Sequence, residues 1–72
     1  MDREVVLGKL GARIRELRQE RGFSQEQLAL KAGLDRSYIG GVERGERNVA
    51  ILNIKKIADA LDLSIGEVWN NM

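Results

Sequence analysis

Residues 25–44 read QEQLALKAGLDRSYIGGVER, and the spacing within this stretch decides the fold. Apolar side chains fall at Leu28, Ala32, Leu34, Ile39 and Val42, with a small residue at Ala29 and a glycine at Gly33. Two helices crossing at a steep angle approach closely only where the contact residue is small, which Ala29 is. The tight turn between them calls for a positive φ, which Gly33 can adopt without steric cost. Leu28 and Ala32 on the first helix then meet Ile39 and Val42 on the second, around Leu34. The stretch therefore predicts two short helices locked at an angle by a shared apolar seam.

Upstream, Leu7, Leu10, Ile14 and Leu17 recur on one face at helical spacing, which predicts a first helix from about Val5 to Arg21, ended by Gly22. Ser24 is placed to cap the second helix, with Gln27 completing a capping-box pattern, and that helix runs to Ala32. Asp35 is the expected cap of the third, which continues to about Arg44 and stops at Gly45. Downstream, Ile51, Ile54, Ile57, Ala58 and Leu61 form the apolar stripe of a fourth helix from about Ile51 to Leu61. Ser64 and Glu67 open a short fifth helix that ends near Trp69. No strand-like alternation, linker or repeat interrupts this pattern. The expected fold is all-α, a compact five-helix bundle forming one domain over residues 1–72.

A chain of 72 residues is near the lower size at which an apolar core holds without staples. It contains neither cysteine nor histidine, which excludes disulfides, thiolate zinc sites and imidazole acid–base chemistry, and fits a reducing cytosol. Its Asp, Glu, Lys and Ser residues form no recognisable catalytic constellation, so no catalytic residue, metal ligand or cofactor is expected. Met1 is followed by Asp2, Arg3 and Glu4, and no apolar run reaches the length of a membrane span, so neither a signal peptide nor a membrane partner is expected. The net charge is only +1, but it is unevenly spread. Lys9, Arg13, Arg15, Arg18 and Arg21 stand against Glu16 and Glu20, whereas Asp59, Asp62 and Glu67 near the other end have no basic neighbour after them. Such a basic portion is either a nucleic-acid footprint or a solvated helix surface.

From Phe23 to Trp69, through SQEQLALKAGL, YIGGVERGERN and IKKIADALDLSIGEVW, the chain resembles the Cro/CI-type (xenobiotic-response-element) helix-turn-helix family of bacterial and phage regulators. The segment DRSYIGGVER at 35–44, closed by Arg47 and Asn48, more narrowly resembles the controller proteins of restriction–modification systems. The resemblance implies a lambda-repressor-like DNA-binding domain, a bacterial cytoplasmic location, and a homodimer on a pseudo-palindromic stretch of double-stranded DNA. Single-domain phage and plasmid repressors share much of the pattern. A protein-interaction module such as an antitoxin is the alternative from another class.

Carried over residue by residue, the resemblance puts Gln25 at a phosphate-contacting helix N-terminus. Arg36, Ser37 and Tyr38 open the recognition helix, and Arg36 suits guanine, a pairing worth about 1–3 kcal/mol of discrimination. Tyr38 is either a backbone or methyl contact or a residue at the edge of the core. Arg44, Arg47 and Asn48 follow the helix, where the family touches the DNA backbone. Glu43 is expected to pair with Arg18 and fix two helices together. Val49, Leu52, Ile65, Val68 and Trp69 are expected at a two-fold contact made by the last two helices. Glu26, on the second helix, makes RNA polymerase a further candidate partner. Gly40 and Gly41 stand out, because each glycine inside a helix costs about 1 kcal/mol relative to alanine. Either they let the helix backbone lie closer to DNA or that face contributes nothing.

Overall fold

The structure, a computed structural model, describes residues 2–70. Five helices follow in chain order: α1 (Arg3–Glu20), α2 (Gln25–Ala32), α3 (Arg36–Glu43), α4 (Ile51–Ala60) and α5 (Ile65–Trp69). No strand occurs among the described residues. α1 starts two residues earlier than the apolar spacing predicts, because the Asp2 carboxylate accepts the Glu4 N–H at 2.9 Å and closes the first turn. The capping boxes at the starts of α2 and α5 both form. Ser24 Oγ accepts the Gln27 N–H at 3.0 Å while the Ser24 N–H donates to Gln27 Oε1 at 2.8 Å. Ser64 and Glu67 repeat the arrangement at 3.1 and 3.0 Å, and the hydrogen bonds from Ser64 hold the Glu67 carboxyl below its ordinary pKa. Asp35 occupies the cap position of α3, but its side chain makes no capping hydrogen bond.

α1, α2 and α3 each give way to a residue with positive φ, namely Gly22, Gly33 and Gly45. After α4 the same role falls to Asp62, at φ 61°, with the Leu63 N–H returning to the Ala58 carbonyl at 2.9 Å. The left-handed region is unfavourable for a residue with a Cβ, and aspartate tolerates it better than most. Asp62→Gly is therefore expected to stabilise the fold by about 0.5–1 kcal/mol in a thermal melt. A lower melting temperature would show that the Asp62 side chain does more than accept a turn.

Leu10, Ile14, Leu17, Leu28, Ala29, Ala32, Ile39, Val42, Ile54, Ile57, Ala58, Leu61 and Val68 form one buried core drawn from all five helices. α3 packs on both α1 and α2, α2 also packs on α4, and α5 lies against α1 and α4. Phe23, Leu34 and Tyr38 are half-buried against the core. Two placements differ from the sequence expectation. Ile51, placed in the apolar stripe of α4, is 63% exposed at the first position of the helix, where the buried stripe begins only at Ile54. Val68, placed at a subunit contact, is completely enclosed within the protomer's own core and has no surface to offer a partner.

α1 meets α3 where Gly11 lies against the Val42 and Glu43 carbonyls. A Cβ built on Gly11 would lie 2.3 Å from the Val42 oxygen. The two backbones thus touch with no side chain between them. This contact presses α3 against the middle of the longest helix, and of α3 only Arg36 and Ser37 in its first turn stay exposed.

Candidate nucleic-acid interface

Arg18 and Glu43 lie at the centre of the platform that carries α3. The guanidinium donates from Nε to Glu43 Oε2 at 2.7 Å and from Nη2 to Glu43 Oε1 at 3.1 Å, and its Nη1 donates to the Phe23 carbonyl at 2.7 Å. Gln25 Nε2 completes the network by donating to Glu43 Oε1 at 3.0 Å. Four parts of the chain (α1, the loop after it, the start of α2 and the end of α3) are therefore tied through one ion pair, the loop by way of Arg18 and the others at the Glu43 carboxylate. Side-chain exposures of 11% for Arg18 and 3% for Glu43 make this a buried, bidentate pair rather than a surface one. The family resemblance makes Gln25 a phosphate contact. It is half-buried at the α2 N-terminus, with its amide nitrogen already donating inside the protein.

The first turn of α3 is open. Arg36 and Ser37 are exposed, and Arg36 has no ion pair among the described residues, Asp35 included. Tyr38 turns the other way: its ring lies half-buried against the core and its hydroxyl accepts a hydrogen bond from Asn53 Nδ2, on α4, at 3.0 Å. Arg44, Arg47 and Asn48 are exposed beyond the C-terminal end of α3. Arg44 Nε sits 3.1 Å from Glu46 Oε1, a solvated pair of little energetic weight. The Arg47 guanidinium stacks over the Tyr38 ring, 5.6 Å from its centroid. Asn53 and Gly11, which set the position of these groups, drew no notice in the sequence. Asn53 lies in a polar gap of an apolar stripe, and Gly11 looks like a weak point in a helix.

Several cations of the basic amino-terminal portion are engaged inside the protein. Besides Arg18, Arg13 pairs with Glu16 at 2.8 Å and donates to the Glu67 carbonyl at 3.3 Å, while Arg21 Nε donates to the Leu61 carbonyl at 2.5 Å. Arg13 and Arg21 thus satisfy carbonyls of α5 and of the α4 C-cap, where cations complement the helix dipole. Arg13, Arg18 and Arg21 serve the fold, while Lys9 and Arg15 stay exposed on α1; Arg36, Arg44 and Arg47 are the exposed cations around α3.

Among the proposed subunit-contact residues, Leu52 is 64% exposed, next to exposed Ile51, and Val49, Ile65 and Trp69 are half-buried. The described residues contain no cluster of acidic side chains able to hold a metal ion, and no helix among them is long and apolar enough to cross a membrane.

The Helix-turn-helix family matches residues 14–68. Control protein C.MunI of Mycoplasma sp is 34% identical over 65 residues, covering 89% of this chain and 88% of that protein. The crystal structure of the restriction–modification controller protein C.AhdI from Aeromonas hydrophila superposes with a TM-score of 0.87 at 58% identity, over 89% of this chain and 97% of its own. The controller protein C.Esp1396I, solved as a tetramer in complex with its natural 35 base-pair operator, gives a TM-score of 0.82 at 40% identity, over 88% of this chain and 83% of that one. Other curated relatives are longer, the chain spanning 56–64% of three of them. With a shared fold, a family match across the core helices and these identities over nearly the whole sequence, the chain belongs to the Cro/CI-type helix-turn-helix family and is similar to the controller proteins of restriction–modification systems.

Proposed function

We propose that this protein is a sequence-specific, DNA-binding transcriptional regulator acting as a homodimer, and that its role is autoregulated control of restriction–modification genes in the bacterial cytoplasm. The observation that carries the reading is the exposed Arg36, without an ion pair among the described residues, beside Ser37 at the start of α3, on a helix whose other end is clamped through Glu43. A recognition helix enters the major groove by its N-terminal residues, and arginine reads guanine through two parallel hydrogen bonds. A controller relative was solved on its operator, which supports the same use of the fold here.

Size argues for two copies. The protomer measures 31 Å along its longest axis, whereas half-sites one helical turn apart are separated by about 34–36 Å. One protomer cannot place recognition helices in both. Leu52 and Ile51 on α4, with Val49, Ile65 and Trp69 beside them, supply the apolar surface for a two-fold contact through the last two helices. RNA polymerase is a candidate partner through exposed Glu26 on α2. No cofactor and no catalysis enter this role; occupancy follows the protein's own concentration through coupled dimerisation and operator binding.

A footprint on the duplex upstream of the protein's own start codon, at two salt concentrations, tests this. Paired protected half-sites about one helical turn apart are expected. Uniform protection that vanishes with salt would reduce the interaction to phosphate attraction and remove the proposal. On that duplex, Arg36→Ala is expected to weaken binding by about ten- to hundredfold while random duplex loses far less, because one bidentate base contact is worth about 1–3 kcal/mol. Equal losses on the two duplexes, measured by titration, would assign Arg36 to phosphate instead.

A further inference from the structure

We propose that Gly41 and Asn53 are positioning residues for operator recognition: they hold the Arg47 side chain back along the outer face of α3, so that an arginine rooted beyond the helix occupies the place Gly41 leaves empty. This rests on the reading that α3 enters the groove, and it names residues whose own side chains make no DNA contact.

A Cβ built on Gly41 would lie 2.9 Å from Arg47 Cγ, 3.0 Å from Nε and 3.5 Å from Cδ. Three consecutive parts of one side chain therefore run across the glycine, so the arginine lies along the helix rather than touching it at its tip. The guanidinium continues to the Tyr38 ring, one turn nearer the start of α3, where it stacks at 5.6 Å from the centroid. The Tyr38 ring is itself fixed, by the core beneath it and by the hydrogen bond from Asn53 Nδ2 to its hydroxyl. Arg47 is exposed to solvent on its outer side, and Gly41 beneath it is buried.

Each part of this seat has a physical cause. Glycine forgoes helix propensity at position 41 and gains room for an aliphatic stem. Tyrosine offers the flat surface on which a guanidinium stacks, and Asn53 anchors the hydroxyl end of that ring. An arginine held before binding loses less rotamer freedom when it meets DNA than one that waves in solvent. The neighbouring glycine differs. A Cβ on Gly40 would meet the far end of Arg44, at Nη1, 3.0 Å away, a tip that can swing aside, and Gln25 Oε1 at 3.5 Å, an ordinary contact. A methyl at Gly41 meets the stem and forces Arg47 into another rotamer.

The test has a DNA-free arm and a DNA arm. In the free protein, the Arg47 side-chain protons are expected to be shifted upfield by the Tyr38 ring in NMR spectra, to lose most of that shift in Gly41→Ala, and to lose part of it in Asn53→Ala. On the upstream duplex, Gly41→Ala is expected to bind about tenfold more weakly in the wild-type background, while its melting temperature stays equal or rises. In an Arg47→Ala background the same substitution is expected to change affinity by no more than about twofold, since the seat then has no occupant. A methyl that simply strikes the DNA would cost as much in both backgrounds, and that result overturns the inference. An unchanged upfield shift in Gly41→Ala overturns it as well. A wild-type protein that shows the shift yet binds no duplex would instead strike down the DNA-binding reading on which the inference stands.

Discussion

Replacing Gly11 by alanine is expected to lower the melting temperature by roughly 10–20 °C, the equivalent of about 2–3 kcal/mol in a domain of this size. The added methyl carbon would lie 2.3 Å from the Val42 oxygen, 2.7 Å from the Glu43 oxygen and 2.9 Å from the Glu43 carbonyl carbon. All three atoms are backbone, so none can step aside by changing a rotamer. α1 and α3 would have to separate, and the Arg18–Glu43 pair a few residues away spans that same crossing. Against this stands the gain in helix propensity on replacing glycine, about 1 kcal/mol, which the clash exceeds. Gly8 provides the control on the same helix. A Cβ there meets nothing within 4 Å, so Gly8→Ala is expected to be stabilising, by about 0.5–1 kcal/mol. Thermal melts followed by circular dichroism compare the two. If Gly11→Ala melts as high as Gly8→Ala, the close helix crossing is not what requires a glycine at position 11.

The features legible in the sequence are those whose causes lie within a few residues. Ser24 and Gln27 cap each other across one turn, so the start of α2 could be read directly, and Ser64 with Glu67 fixes α5 in the same way. The seam of Leu28, Ala32, Ile39 and Val42 was legible because both of its helices lie in one short stretch. Gly11 was not, since the carbonyl that requires it is contributed from Val42, on another helix. Arg13 and Arg21 could be counted as charges, but their partners are main-chain carbonyls, which leave no mark in a sequence. Asp62 ends α4 in a conformation usually announced by glycine, so the stop near Leu61 was legible from the end of the apolar stripe and not from a terminating residue. Val68 shows the limit of periodicity in a five-residue helix, where one apolar position can face inward or outward with nearly the same pattern. Around the candidate interface, Arg36 and Ser37 stood out as chemistry at a helix start. The link from Asn53 through Tyr38 to Arg47 joins positions that only tertiary packing brings together.

Glu43→Ala is expected to be the more damaging of the single substitutions in the platform, costing about 3–5 kcal/mol, because it leaves a buried cation without its counter-charge. The whole domain's stability is of order 5–15 kcal/mol, so such a loss would leave a substantial unfolded fraction at physiological temperature. Arg18 would retain only its bond to the Phe23 carbonyl, and Gln25 would lose the acceptor that fixes the start of α2. The cost arises from the stranded charge rather than from the net worth of the pair. A double variant, Arg18→Met with Glu43→Leu, removes both charges and fills the space with apolar groups, and it is expected to recover to within about 1 kcal/mol of the parent. Its operator binding is expected to remain weakened nonetheless, since Gln25 and the end of α3 would no longer be tied to one carboxylate. Chemical denaturation and duplex titration on the same three proteins separate these effects. Full recovery of both stability and affinity in the double variant would mean that the pair contributes packing alone. Failure to recover stability would mean that the four-way hydrogen-bonded geometry itself, and not merely the balance of buried charge, holds α1, α2 and α3 together.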